Sequence, residues 1–324
     1  MNIIKRENNS IYNLFNNKHF IRYFLELKAN KSIYTAKAYE KDIKDFFKVE
    51  HIEDITLNHI KTINIFHAES YILELSDRGL SSATINRKVS SLSALYKWLL
   101  KFQDNNTNSE IIKYNPFGNL KEEKPKVNNK ETEFLTKEEC KKIINSINTS
   151  NIIGMRDKTL MSLALTTALR KSEIINIKLK DIKKYGQYNI IEVKRKGNIK
   201  DIVKLQDQVL TLINNYIKAS GRSFENNKED YLFLGHSRNS KKDKKLDDSS
   251  LNYIINKIIK NANINKKIKV HSTRHTAITL AITEGETIEK VREFAGHKSI
   301  ATTNRYIHSI DKIKNNAGDK IDIF

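Results

Sequence analysis

Along the first hundred positions apolar residues recur every three or four places, the period of a helix that buries one face. Phe20, Phe24 and Leu27 share one side of a segment from His19 to Lys28. Ser32 is placed to cap a second helix reaching about Lys48, with Tyr39, Ile43, Phe46 and Phe47 facing inward. A serine hydroxyl there accepts from a backbone N–H that the first helical turn leaves without a partner. Thr56 opens a third helix that runs through Phe66 and Tyr71, with a break near Ile63 to Ile65. Gly79 is a stop signal, and Ser81 or Ser82 caps a fourth helix carrying Ile85, Val89, Leu92, Leu95 and Leu99 as one stripe. A stripe of that length needs partners, so a small helical domain is expected over residues 1–103.

From Phe102 to Glu133 the pattern is lost. QDNNTNSE is polar, KEEKPKVNNKETE is almost all charge and amide, and both prolines, Pro116 and Pro125, fall here. Residues 104–133 read as an interdomain linker with Pro116-Phe117 as a local anchor. A second domain, 134–324, opens with Thr136 and Glu139 at capping-box spacing. The stretch from Met155 to Ala168 is apolar on all sides and predicts a buried helix. Tyr188 to Val193 and Ile199 to Leu205 are β-branched runs flanking Lys-Gly-Asn, the pattern of a hairpin. Arg238 to Lys245 reads as an exposed loop, and helices resume near Ser249, Ser272 and Ser299. The whole is mainly α, a helical domain followed by a mixed α+β domain with a small antiparallel sheet.

Charge narrows the partners. Lys and Arg number 58 against 38 Asp and Glu, a net charge of +20. Part of the lysine excess matches a chain also rich in asparagine and isoleucine, a bias of AT-rich coding. The remaining imbalance favours a polyanion, with nucleic acid as the default. One cysteine, Cys140, leaves no internal disulfide and no multi-cysteine metal site, and a reducing cytoplasm is the expected location. No apolar run reaches the length of a membrane span and the first residues lack a secretory pattern. No cofactor and no metal are expected.

Six side chains in the second half carry candidate chemistry. Arg170, in ALRKSE, sits between two helices, where its planar fork suits two phosphate oxygens or a salt bridge to Glu173. Lys196, at the tip of the expected hairpin, can protonate a leaving oxygen, or be one more lysine of a basic turn. His271 and Arg274, in HSTRH, are three apart and share a helix face, with neighbouring His275 as a rival ring. His297 follows Gly296, and Tyr306 lies on the helix that starts near Ser299. A phenol needs cationic neighbours or a base to act as a nucleophile at neutral pH. In the first domain Arg87 and Lys88, opposite the apolar stripe, are candidate DNA contacts or plain solubilising charges.

Read singly, each residue has an ordinary structural use. Their order is less ordinary: Arg, Lys, His-x-x-Arg, Gly-His, then Tyr nine residues on. LALTTALRKSEI, HSTRHTAIT and AGHKSIATTNRYIH resemble the three boxes of the tyrosine recombinase, or phage integrase, family, closest to its Xer-like members. The resemblance spans about 134–310 and, more loosely, 19–101. It departs at the hairpin, where Arg195 and Asp201 stand in place of the usual glycine before the lysine and basic residue after it. The resemblance implies a helical, SAM-like core-binding domain and a catalytic domain that clamp duplex DNA. Tyr306 would form a 3′-phosphotyrosine. Arg170 and Arg274 would steady the transition state, His271 and His297 would share proton transfer, and Lys196 would act as general acid. It further implies a homo- or hetero-tetramer on two DNA sites, a tail after Tyr306 that docks on a neighbour, and in some settings an accessory protein. A type IB topoisomerase, a telomere resolvase and a non-catalytic DNA-binding relative are the alternatives.

Overall fold

The computed structural model describes residues 18–103, 110–127, 132–195, 197–236, 245–304 and 306. The chain divides into two compact units between Lys130 and Glu131.

The first unit is helical. It contains α1 (Phe20–Ala29), α2 (Ile33–Phe47), a 3-10 turn (Ile52–Asp54), α3 (Leu57–Thr62), α4 (Ile65–Asp77) and α5 (Ser82–Leu99). Ser32 and Ser81 cap α2 and α5 through their side chains. The long stripe of α5 is buried throughout, with Val89, Leu92, Leu95 and Leu99 fully enclosed. Each such side chain contributes about 1.5–3 kcal/mol by leaving water. The break expected near Ile63 to Ile65 is complete: Asn64 caps a separate α4, accepting from His67 N at 3.2 Å. Leu27, expected on the inner side with Phe20 and Phe24, is 40% exposed, because α1 buries Phe20, Ile21, Phe24 and Leu25. Within the stretch expected as a linker, Ile111, Ile112, Phe117 and Leu120 join the same core. Phe117 packs between Phe46 and Tyr96 at ring separations of 5.2 and 5.3 Å. Pairing of hydrophobic residues in space, not their spacing in sequence, draws this segment in.

The second unit has helices α6 (Lys137–Ser146), α7 (Ile152–Thr167), α8 (Lys171–Asn176), α9 (Asp207–Ala219), α10 (Asp248–Asn261), α11 (Val270–Thr283) and α12 (Ile288–Ala295), and residues 300–304 and 306 are helical too. Thr136 and Glu139 form the expected capping box, at 3.2 and 2.8 Å. Helix α7 is packed by α6, α9, α10 and α11, which explains its apolar residues on every side. The expected hairpin is present as β2 (Tyr188–Arg195) and β3 (Ile199–Lys204). A third strand, β1 (Ile182–Tyr185), extends it to an antiparallel sheet in the order β1-β2-β3. Its sequence, IKKY, shows one inward residue and no apolar run, so no period marked it. Helix α11 starts earlier than Ser272, at Val270, and Ser272 is buried inside it. Arg238 to Lys244 and Lys196 lie outside the described residues, as does everything after Tyr306. No described helix is long and apolar enough to cross a membrane.

Candidate functional site

The site is assembled where four segments of the second unit meet. Helix α7 ends in Ala168, whose left-handed backbone (φ 49°) turns the chain into α8. Arg170 is the N-cap residue of α8. Three residues on, the buried carboxylate of Glu173 accepts from Arg170 N at 2.7 Å and from Arg170 Nη1 at 3.0 Å. Its Oε2 also accepts from Arg195 Nη1 at 3.0 Å, and Arg195 Nε donates to Asp201 at 2.8 Å. Arg170 is thus held by a carboxylate at both its backbone and its guanidinium while its side chain stays 36% exposed.

Arg274 comes from α11 and is 3% exposed. Its Nη1 donates to the carbonyl of Ala168 and its Nη2 to that of Ala295 at 2.6 Å. Arg170 Nη2 reaches the next carbonyl, Gly296, at 3.4 Å. Two guanidinium groups from separate helices therefore converge on one turn, Ala295-Gly296. That turn ends α12 in the left-handed region, with Gly296 at φ 57°. It delivers His297, whose Nδ1 lies 3.0 Å from the hydroxyl of fully buried Thr303. The Tyr306 ring follows on the same terminal helix, stacked 6.0 Å from His297 and tilted against His275 at 4.7 Å. Its apolar side packs on the cluster of Ala168, Ala277, Ile278, Val291 and Ala295. His271, one turn before Arg274, faces outward at the start of α11.

The electrostatics suit an anion. Burial pulls the Arg274 guanidinium down to about 10, and the neighbouring Arg170 and Arg195 pull the same way, against Glu173 and Tyr306. It stays charged at neutral pH in a setting that favours a bound negative group. Burial and these arginines push His297 down to about 4, burial and His271 bring His275 to about 4, and burial with Arg274 and Arg170 lowers His271. The Tyr306 hydroxyl is raised by burial, which outweighs the downward pull of Arg274 and Arg170. Among the described residues no cluster of three His, Cys, Asp or Glu is placed to hold a metal.

The histidine shifts have a consequence for stability. His275 and His297 bind protons less readily folded than unfolded, so the stability they lend is complete above about pH 6.5. It is lost as the pH falls from there toward about 4. Thermal unfolding of the protein followed between pH 7.5 and 4.5 is expected to show a falling melting temperature. In His275→Asn the fall should be shallower; an equal slope in the variant contradicts the assignment.

Arg170, Arg274, His297 and Tyr306 are thus gathered around one turn, His271 faces outward one helical turn before Arg274, and Lys196 lies outside the described residues. In the first unit the structure separates the two remaining candidates. Lys88 is a correction: it is 5% exposed, with its ammonium paired to Asp45 at 2.9 Å and Asp42 at 3.6 Å. The buried carboxylate of Asp42, also bonded by Ser91, needs these cations, so Lys88 is committed inward. Arg87 donates to Asp42 as well, yet its side chain is 48% exposed. The Arg170–Glu173 salt bridge that the sequence offered is present, whereas the bonds of Arg195 to Glu173 and Asp201 and of Thr303 to His297 were not expected. Glu173 carried a signal, an acid three residues after an N-cap arginine; Thr303 carried none.

Comparison with known proteins gives this arrangement a context. The sequence pattern of the phage integrase family matches residues 133–312, and that of the family's N-terminal SAM-like domain matches residues 19–103. The chain is 30% identical over 313 residues to the tyrosine recombinase XerC of Caldanaerobacter subterraneus subsp. tengcongensis, covering 91% of this chain and 83% of that protein. It is 29% identical over 294 residues to the XerC of Anoxybacillus flavithermus, covering 89% and 91%. The crystal structure of the XerH site-specific recombinase bound to palindromic difH substrate shares the fold, with a TM-score of 0.64, 23% identity, and coverage of 81% of this chain and 74% of that one.

Proposed function

The chain belongs to the phage integrase family, and from the site geometry we infer that it is a site-specific DNA recombinase that cuts and rejoins strands through a tyrosine ester. The observation that carries this reading is the convergence of Arg170 and Arg274 on the turn that leads into His297 and Tyr306.

A scissile phosphodiester would sit against the two guanidinium groups, which match its non-bridging oxygens and meet the charge that grows on them in the transition state. The Tyr306 oxygen attacks phosphorus, the bond to the 5′ oxygen breaks, and a 3′-phosphotyrosine forms. The phenol needs to lose its proton as it attacks, since its pKa lies above its ordinary value in the free protein. His271, held neutral by its surroundings, is suited to accept that proton. The departing 5′ alkoxide takes a proton from Lys196. His297, also neutral, donates one hydrogen bond to a phosphate oxygen. The 5′ hydroxyl of the partner strand then attacks the phosphotyrosine and releases Tyr306, so the ester bond is exchanged without ATP.

His297 offers its free Nε2 to the phosphate only with the right tautomer, and Thr303 sits on the other nitrogen. Thr303→Val keeps the shape and removes the hydroxyl. It is expected to slow covalent-complex formation about tenfold or more, while Thr303→Ser stays near wild type. Equal rates for valine and serine rule out this use of the hydroxyl.

The second unit is proposed to carry the reaction and the first to hold the DNA core sequence. Residues 1–103 form the core-binding part, 134–324 the catalytic part, and 104–133 the connection, of which Ile111, Ile112, Phe117 and Leu120 pack into the first core. Arg87 is a candidate backbone contact. Four protomers on two DNA sites, cytoplasmic work and docking of the chain after Tyr306 on a neighbour complete the proposal, with an accessory protein required at some sites.

Incubation with a nicked duplex that traps the broken strand tests the reading. A covalent adduct on the 3′ phosphate, without ATP or added metal, supports it. Tight binding with no adduct favours a binding protein. Exchange between two sites on one plasmid, as opposed to mere relaxation or hairpin capping, separates a recombinase from a topoisomerase or a telomere resolvase.

A further inference from the structure

Resting on that reading, we propose that Arg195 is a positioning residue of the strand-transfer site: it clamps Glu173, and through it Arg170, between the β2–β3 hairpin and the Ala295-Gly296 turn.

Four observations carry this. Arg195 is the last residue of β2, and it is 8% exposed, unusual for an arginine at the end of a hairpin strand. Its guanidinium donates to Glu173 at 3.0 Å from Nη1 and to Asp201 on β3 at 2.8 Å from Nε. It also lies flat on the turn: a methyl group placed on Gly296 would stand 2.7 Å from Arg195 Cζ. Gly296 is the residue whose carbonyl receives Arg170, and it precedes His297.

Glu173 has two arginines to serve. Its Oε2 accepts both Arg170 N and Arg195 Nη1, while its Oε1 accepts Arg170 Nη1. With Arg195 in place the carboxylate is pinned by a second arginine, so its orientation, and that of the Arg170 fork, is set before any phosphate arrives. Without Arg195 the buried carboxylate is left to Arg170 alone. It would then pull that guanidinium inward, toward a full two-bond pair and away from the phosphate. Asp201 pairs with Arg195 and offsets part of the charge that it brings near Arg274. The two hairpin positions that depart from the family pattern, 195 and 201, are thus partners of each other.

Arg195 is enclosed by protein, so its loss should act on the chemical step and not on DNA affinity. Arg195→Gln is expected to slow adduct formation at saturating nicked duplex about 10- to 100-fold, the usual cost of a misplaced catalytic group. The DNA dissociation constant and its salt dependence should stay within about twofold of wild type. A purely structural defect does not depend on the charge of the phosphate, so a second readout uses a duplex with a methylphosphonate at the scissile position. That substrate has no ionised non-bridging oxygen for Arg170 to hold. The ratio between wild type and Arg195→Gln should shrink toward one on it. Should Arg195→Gln fail to fold by circular dichroism, Arg195→Lys carries the same comparison. Lys retains the charge and one bond to Glu173, so a smaller loss with the same shrinkage is expected.

An unchanged adduct rate overturns the proposal. So does a weaker, less salt-sensitive DNA affinity, which would make Arg195 a DNA contact, or a ratio that persists on methylphosphonate. A wild-type protein that forms no adduct at all overturns the recombinase reading, and this proposal with it.

Discussion

Tyr306→Phe is expected to abolish covalent protein–DNA adduct on a nicked duplex while leaving duplex affinity within about twofold. The substitution removes one oxygen and keeps the ring that packs between His275 and His297 and against the cluster of Ala168, Ala277, Ile278, Val291 and Ala295. No other change in the site takes away the attacking atom while sparing so much of the packing. The substitution leaves Arg170 and Arg274, the proposed phosphate contacts, intact, so binding is expected to persist. Retention of a covalent band in the phenylalanine variant, at any rate above background, means another nucleophile does the work. The pH dependence gives a further check on the same group. With the phenol raised and His271 lowered in the free protein, the second-order rate should not fall between about pH 7 and 8.

Arg274→Ala has the second-largest expected effect, and it has two causes that can be measured apart. The side chain is the more enclosed of the two arginines proposed to hold the phosphate. Loss of one such preorganised charge slows a step with developing anionic charge by about 100- to 1,000-fold. Its removal also leaves the carbonyls of Ala168 and Ala295 without their donor. A buried acceptor stripped of its partner costs about 1–3 kcal/mol, so the second unit should melt at a lower temperature as well. Adduct rates measured well below that temperature isolate the catalytic loss. Arg274→Lys keeps a charge but cannot span both carbonyls with a rigid fork, and it should recover stability only in part. A variant that melts lower yet reacts at the wild-type rate shows that Arg274 braces the turn and has no role in the reaction.

How far these residues were readable before folding differs from one to the next. The α5 stripe was legible because five apolar residues at helical spacing leave a helix no choice but to bury that side. The hairpin was legible from its β-branched runs, but β1 was not, since IKKY makes a strand only by pairing with β2. Lys88 misled because its place opposite the stripe suggested solvent; Asp42 and Asp45, more than forty residues earlier in the chain, hold it inside. Leu27 misled in the opposite sense, as an apolar residue with no surface to pack on.

Spacing and residue type alone carried the mainly helical architecture, the excess of positive charge and the ordered series Arg170, His271, Arg274, His297, Tyr306. These follow from local rules: period, capping and the chemistry each side chain can offer. That two guanidiniums share the Ala295-Gly296 turn, that Glu173 serves both Arg170 and Arg195, and that Thr303 steadies His297 required the folded chain. Hydrogen bonds across gaps of up to 126 residues depend on where helices cross, and crossing is decided by the complementary shape of whole cores, which no local window records.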